Sequence, residues 1–378
     1  MKIGILTQPL WFNYGGLLQN YALQKVLQRM GHEVYTIDRQ PDMKYSYSPI
    51  HMAGYIVRLI KRYIFFNKNI KTSWNPNVSK STFMYISQNT LEFVKNNITT
   101  TGPVSSSQLS EIAARYMFDA YVVGSDQVWI PSYYPEAFIP FDSRVGVKKI
   151  FYAASSGDES WMDSEMIRES ALKMLSGFCG ISVREKSLQK RFNEISKLEC
   201  EHVSDPTLLL DREDYINLLD ENSEYTDHIF TYILDTNDFK QRIIEAVEEC
   251  LKLDVHSGTP TLSYNNAQKT DIDEAVFAPV ESWLQHYYNA SFVVTDSFHG
   301  TVFSLIFNKQ FLVIGNRERG LDRFTSLLDD YGLSNRIVTS LDEVKELVNT
   351  TIDFNTVNRK MREKKIKSLD FLTNSLNK

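Results

Sequence analysis

Short apolar runs alternate with stretches of helical periodicity along nearly the whole chain. Lys2 to Leu6 reads as a buried strand. Behind the loop Thr7 to Gly16, Leu17, Leu18, Tyr21, Ala22, Leu23, Val26, Leu27 and Met30 recur at helix spacing, and Glu33 to Asp38 is the next strand. This βαβ opening predicts a parallel sheet. Asp119 to Val123, Lys149 to Ala153 and Gly180 to Val183 continue the alternation. A second series begins near His228, with strands expected at Ile229 to Leu234, Leu253 to His256, Ala275 to Ala278, Phe292 to Thr295 and Phe311 to Ile314. Helices are expected at Phe239 to Leu251, Val280 to Tyr288, Thr301 to Phe307 and Asp322 to Tyr331.

The pattern predicts an α/β protein of two Rossmann-like domains facing a central cleft. The expected boundaries are 1–207 for the first domain, 208–350 for the second and 351–378 for an amphipathic closing helix. The polar segment Leu208 to Thr226 marks the crossing between the halves. A length of 378 residues is ample for two such domains.

Composition narrows the functional classes. With 41 basic against 47 acidic side chains, the net charge is −6, so no general surplus of cations exists to neutralise nucleic-acid phosphates. The 12% aromatic share fits sugar-facing surfaces and, better, a thick core. Cys179, Cys200 and Cys250 are odd in number and far apart, which predicts neither a disulfide framework nor a metal knot and points to a reducing, cytoplasmic location. No apolar stretch is long enough to span a bilayer. Residues 50–71, however, mix aromatic and aliphatic side chains with Arg58, Lys61, Arg62, Lys68 and Lys71 and carry no acid. That segment fits either a helix on an anionic membrane surface or one packed on its own domain.

Chemistry concentrates at the expected strand ends. Phe292 to Thr295 runs into Asp296, Ser297 and His299 at the start of a helix, where free N–H groups and the helix dipole attract anions. A titratable imidazole there is a candidate catalyst, although the same residues also fit a capped helix start. The loop Asn13, Tyr14, Gly15, Gly16 lets a ligand approach the backbone or forms a plain tight turn. Val122 and Val123 lead into Gly124, Ser125 and Asp126; Asp126 fits a sugar-hydroxyl ligand, a base or a cap. Ser155 and Arg184 stand at two further strand ends. Asp205, before Pro206, reads as structural. Arg317, Arg319 and Arg323 follow the strand that ends at Ile314, and arginine grips phosphate and carboxylate with a bidentate fork. In open α/β sheets such strand ends converge on one ligand crevice.

An ordered set of these segments resembles the polysaccharide pyruvyl transferase family. It comprises Asn13-Tyr14-Gly15 with Gln19 and Tyr21-Ala22-Leu23, Gly124-Ser125-Asp126-Gln127-Val128-Trp129, Ser182-Val183-Arg184-Glu185, Ser204-Asp205-Pro206-Thr207, Thr295-Asp296-Ser297-Phe298-His299-Gly300-Thr301, and Asn316-Arg317 with Arg323-Phe324. The resemblance implies a fold similar to GT-B glycosyltransferases. It also implies transfer of pyruvate from phosphoenolpyruvate to two hydroxyls of one sugar as a cyclic ketal, on an acceptor for an envelope or capsular polysaccharide that is lipid-linked or nucleotide-linked.

Arg184 and His299 correspond to the family's donor-site arginine and histidine, and with Asp126 they form the expected catalytic set. Candidate substrate-binding residues are Asn13, Tyr14, Gly15, Gln19, Ser125, Ser155, Asp296, Ser297, Asn316, Arg317 and Arg323. Some members carry Arg-Leu-His where this chain has Ser297-Phe298-His299 and others share the serine, so that donor contact falls to Arg317, Arg319 or Arg323, or the donor sits differently. No cofactor and no metal is expected, phosphoenolpyruvate being a substrate. The competing readings are a GT-B glycosyltransferase using a nucleotide sugar and a non-catalytic sugar- or anion-binding protein on the same fold.

Overall fold

The computed structural model describes residues 1–40, 80–129, 136–156, 165–219, 226–263, 271–315 and 321–378. The basic aromatic segment 50–71 therefore lies outside the described residues, as do Asn316, Arg317 and Arg319. Among the described residues, no helix is long and apolar enough to cross a membrane.

Among the described residues, twelve strands form two sheets. The first contains β1 (Lys2–Leu6), β2 (Glu33–Arg39), β3 (Thr100–Val104), β4 (Ala120–Val123), β5 (Lys148–Ala154), β6 (Gly180–Val183) and β7 (Glu201–His202), ordered β3-β2-β1-β4-β5-β6-β7. The second contains β8 (Ile229–Tyr232), β9 (Val255–Ser257), β10 (Phe292–Thr295), β11 (Gln310–Ile314) and β12 (Ile337–Val338), ordered β12-β11-β10-β8-β9. Every pairing is parallel. The central strands β4, β8 and β10 are buried at every residue. This is why they read as continuous apolar runs, since helices cover both faces of a parallel sheet.

Buried side chains among the described residues fall into three clusters. One fills the outer face of the first sheet around Phe151, Phe192 and Trp129, and one the outer face of the second around Ile243, Val294 and Leu312. The largest runs through both halves, joining Ile5, Leu17 and Tyr152 to Phe230, Trp283 and Phe303. The sheets are thus packed through a shared apolar layer. Phe12 stacks on Phe277 at 4.7 Å, Tyr14 on Trp283 at 5.2 Å, and Tyr215 meets Phe303 edge-on at 5.1 Å.

One expected strand is corrected. Ala275 to Ala278 joins no sheet: a 3-10 turn covers Ile272–Ala275, and Phe277 then hydrogen-bonds across the interface. Its N–H donates to the Ile86 carbonyl at 2.9 Å, and its own carbonyl accepts from the Asn89 amide at 2.8 Å. The apolar residues there serve the seam between the halves. The helix expected from Thr301 begins earlier, at Phe298, because the Ser297 hydroxyl caps it by accepting from the Gly300 N–H.

The closing helix, Phe354–Asn377, returns to the first sheet. The Ser368 hydroxyl accepts from the Ser204 N–H at 2.9 Å, and Phe371 lies 6.2 Å from Tyr152. Ser375 occupies the space above Gly180, where an added Cβ would sit 2.1 Å from its hydroxyl oxygen.

Candidate functional site

The carboxyl ends of β1, β4, β5, β6 and β10 bring one buried polar cluster together at the seam. Arg184, directly after β6, is its centre. One terminal nitrogen donates to Asp126 Oδ1 at 2.7 Å, the other to Asp205 Oδ2 at 2.8 Å, and Nε lies 3.4 Å from Glu185 Oε1. Its guanidinium also sits 4.2 Å from the centre of the Phe298 ring. Arg184, Asp126, Asp205 and Glu185 are each at most 5% exposed. One guanidinium bonded to three carboxylates in so dry a place is tolerable because hydrogen bonds satisfy most of their oxygens and the Arg323 charge lies nearby.

Asp205 holds the cluster to the backbone. It accepts from the Thr207 N–H at 3.1 Å, the Thr207 hydroxyl at 2.7 Å and the Ser125 hydroxyl at 3.2 Å. The structural role read from its sequence is present, capping the turn Pro206–Leu209, but the ion pair with Arg184 was not legible. Ser155 donates to Glu185 Oε1 at 2.7 Å, and Glu185 Oε2 is buried without a hydrogen-bond partner. Asp126 sits in the left-handed region at φ 72°, and Ala153 at φ 48°. These costly conformations are pinned by the Asp126–Ala154 bridge, with the Ser155 N–H donating to the Asp126 carbonyl at 3.0 Å.

His299 reaches this cluster from the second half. Its Nε2 is 3.7 Å from Asp205 Oδ2, within ion-pair reach but too long for a hydrogen bond, and is buried without a hydrogen-bond partner. The imidazole lies against Gly15: a Cβ there would fall 2.2 Å from His299 Nδ1. Gly15 is thus needed for the close approach of the two halves. It stands in the first turn of the helix Tyr14–Arg29, capped by Asn13, so the amino ends of two helices face each other across His299. The carboxyl end of β10 is itself tightly built, since a Cβ on Gly300 would meet Thr295 Oγ1 at 2.2 Å.

The remaining sequence candidates divide by position. Gln19 is buried beneath the loop, donating to Thr7 Oγ1 at 2.8 Å and accepting from the Ser125 N–H at 3.0 Å. The Tyr14 hydroxyl donates to the Ala278 carbonyl at 2.9 Å, and Asn13 is an exposed helix cap. Asp296 accepts from the Leu234 N–H at 2.7 Å and pairs with Lys240 at 2.5 Å, anchoring β10 to the helix Asp238–Leu251. Ser297 is the cap of its helix. Arg323 places its charge beside Asp126 and Glu185. Glu185 and Phe298 carried no signal beyond their places in the motifs.

Electrostatics separate the carboxylates. Burial raises Asp126 and Asp205, but Arg184 and His299 outweigh it and hold both below the usual carboxylate range. For Glu185 burial wins over Arg184 and Ser155, and its carboxyl is raised. The two kinds of shift act oppositely on stability. Asp126 and Asp205 stabilise the fold above the unfolded value of about 3.9 and lose that contribution as pH falls through their depressed values. Glu185 contributes most below its unfolded value of about 4.3, and that contribution is lost as pH rises through its raised one. Glu185→Gln should therefore gain stability relative to the parent as pH rises above the unfolded value of about 4.3 and through the raised one. Paired urea melts across that range check this; a constant difference would remove the assignment.

Two parallel sheets with strand ends meeting at a buried seam define a GT-B-like α/β protein. Two solved structures share this fold: the Staphylococcus aureus protein MnaA with UDP, at 12% identity and TM-score 0.50 over 96% of this chain and 91% of that one, and the Neisseria meningitidis UDP-GlcNAc 2-epimerase bound to UDP-GlcNAc, at 9% identity and TM-score 0.50 over 98% and 99%. No curated protein matches the chain. The sequence model of the polysaccharide pyruvyl transferase family matches residues 13–318, and the chain belongs to that family.

Proposed function

We propose that the protein transfers pyruvate from phosphoenolpyruvate to two hydroxyls of one sugar in an envelope-polysaccharide precursor, forming a cyclic ketal and releasing phosphate. Family membership supports the transferase class. The observation that carries the donor assignment is the meeting of Arg184, Arg323 and the unpartnered His299 Nε2 with two helix amino ends. Phosphoenolpyruvate bears a carboxylate and a phosphate, and such a site offers cations and N–H donors for both.

In this scheme the methylene carbon of the donor takes a proton and the adjacent carbon becomes electrophilic. One sugar hydroxyl adds there, the phosphate leaves with the bonding electron pair, and a second hydroxyl closes the ring. Of the two hydroxyl protons, one balances the new methyl group and one leaves with phosphate. His299 is the proton carrier, and Asp126 binds the acceptor or serves as base. The depressed Asp126 carboxyl favours hydroxyl binding over strong basicity.

The test is incubation of the full chain with phosphoenolpyruvate and a panel of free and lipid-linked galactosides, glucosides and mannosides. Phosphate release with a product mass gain matching a pyruvate ketal is expected. Thermal stabilisation by a nucleotide sugar but not by phosphoenolpyruvate, with no turnover, would instead favour a nucleotide-sugar enzyme. Stabilisation by phosphoenolpyruvate without turnover on any acceptor would favour a binding protein.

Gly15→Ala is expected to push the imidazole aside and reduce kcat by roughly 10²-fold, since a displacement of about 1 Å is enough for that loss. Parallel kcat and thermal-melt measurements separate this from misfolding; unchanged kcat would exclude Gly15 as the seat of His299.

A further inference from the structure

We propose that His228, His256 and His286 form a site for a divalent transition-metal ion of the zinc type, separate from the donor cleft and independent of the pyruvyl-transfer reading. The three residues come from different elements: His228 immediately precedes β8, His256 is the middle residue of β9, and His286 lies on the helix Val280–Asn289. In sequence they are far apart. In the fold, one ring nitrogen from each lies within 4.8 Å of the others.

The geometry goes beyond proximity. His228 Nδ1 is 2.7 Å from the Thr226 carbonyl oxygen, which can only accept, so the proton sits on Nδ1 and Nε2 presents its lone pair. That Nε2 is 3.2 Å from His286 Nδ1. Two imidazole nitrogens bound to one tetrahedral zinc at about 2.0–2.1 Å are separated by about 3.3 Å. A ligating histidine whose other ring nitrogen donates to a backbone carbonyl is the arrangement that orients imidazoles at metal sites.

The surroundings hold the rings in place. Phe230 stacks on the His286 ring at 5.2 Å with an interplanar angle of 5°, and His256 lies 4.4 Å from the His228 ring. His228 is 1% exposed, whereas His256 and His286 are half-buried, which leaves an entry side. Three imidazoles supply three ligands, and a water completes the tetrahedron. The His256 ring stacks on His228 at an interplanar angle of 21°, so it must turn about its side-chain torsions to aim a nitrogen at the ion, which its half-buried place permits.

The position suggests what the ion would do. Among the described residues, β9 is a three-residue edge strand paired only with β8. A metal bound by all three residues ties that edge to β8 and to the helix Val280–Asn289. It lies at the amino end of β8, opposite the carboxyl ends that carry His299 and Arg184. The site is therefore a structural clasp on the second sheet.

The test uses the full chain stripped with a chelator and titrated with Co²⁺, followed by Zn²⁺. One Co²⁺ per chain is expected, with the intense visible absorption of tetrahedral cobalt, displaced by Zn²⁺ and accompanied by a higher melting temperature. His256→Gln and His286→Gln should each weaken Co²⁺ binding by at least about tenfold to a hundredfold, the loss that even outer-shell substitutions cause. Circular dichroism of both metal-free variants controls for folding, and His256 on the edge strand is the change the fold accommodates more readily. Absence of the cobalt absorption in the parent overturns the proposal. So does binding that survives both substitutions in folded protein.

Discussion

Replacing Arg184 with methionine should cost about 3–5 kcal/mol of folding free energy, because it strands buried charges and takes away little apolar packing. Asp126 and Asp205 each lose their cationic partner, at 2.7 and 2.8 Å, in surroundings that water does not reach. Asp205 retains the Thr207 and Ser125 donors, whereas Asp126 loses the Arg184 hydrogen bond at Oδ1 and keeps the Arg323 charge. Arg184→Lys is the informative companion. A lysine keeps the charge but its single ammonium cannot span Asp126, Asp205 and Glu185 as the planar fork does, so an intermediate loss is expected. Urea denaturation of the three proteins at neutral pH measures this directly. A loss below about 1 kcal/mol for the methionine variant would mean that the cluster relaxes by admitting water, and the electrostatic account given above would have to be abandoned.

The second large effect is on turnover. His299→Ala is expected to lower kcat by about 10²–10⁴-fold, the usual contribution of a positioned proton carrier. Stability should fall by much less, about 1–2 kcal/mol, since His299 Nε2 makes no hydrogen bond that the change would break. This split between activity and stability distinguishes His299 from Arg184, whose loss damages both. A phosphate-release assay with saturating phosphoenolpyruvate, alongside thermal melts, reads both quantities. Wild-type turnover in a folded His299→Ala protein would sink the proton-carrier role and leave the imidazole as a spacer against Gly15.

The parallel strands were legible because burial on both faces leaves an uninterrupted apolar run, as in β4, β8 and β10. Edge strands gave weaker signals. β3 contains Gly102 and Pro103, and β7 and β12 are only two residues long, too short for a period to register. Ala275 to Ala278 misled for the converse reason: an apolar run is the same whether it pairs in a sheet or packs across a seam. At the site, sequence order placed Asp126, Arg184 and His299 at strand ends, and the fold brings them to one cluster. It could not reveal that Gly15 is small because an imidazole 284 residues later lies against it. Nor could it join three histidines contributed by separate elements. Such relations are set by tertiary approach, which leaves no local spacing to read.

The return of the helix Phe354–Asn377 onto the first sheet has a consequence for biosynthesis. The ribosome releases the amino-terminal half first, and domains ordinarily fold in that order during translation. Here the patch around Gly180 and Tyr152 receives Ser375 and Phe371 only after the helix Phe354–Asn377 has been made. Until then the nascent first sheet carries an uncovered apolar face, a natural landing place for a chaperone and a point of vulnerability to premature termination.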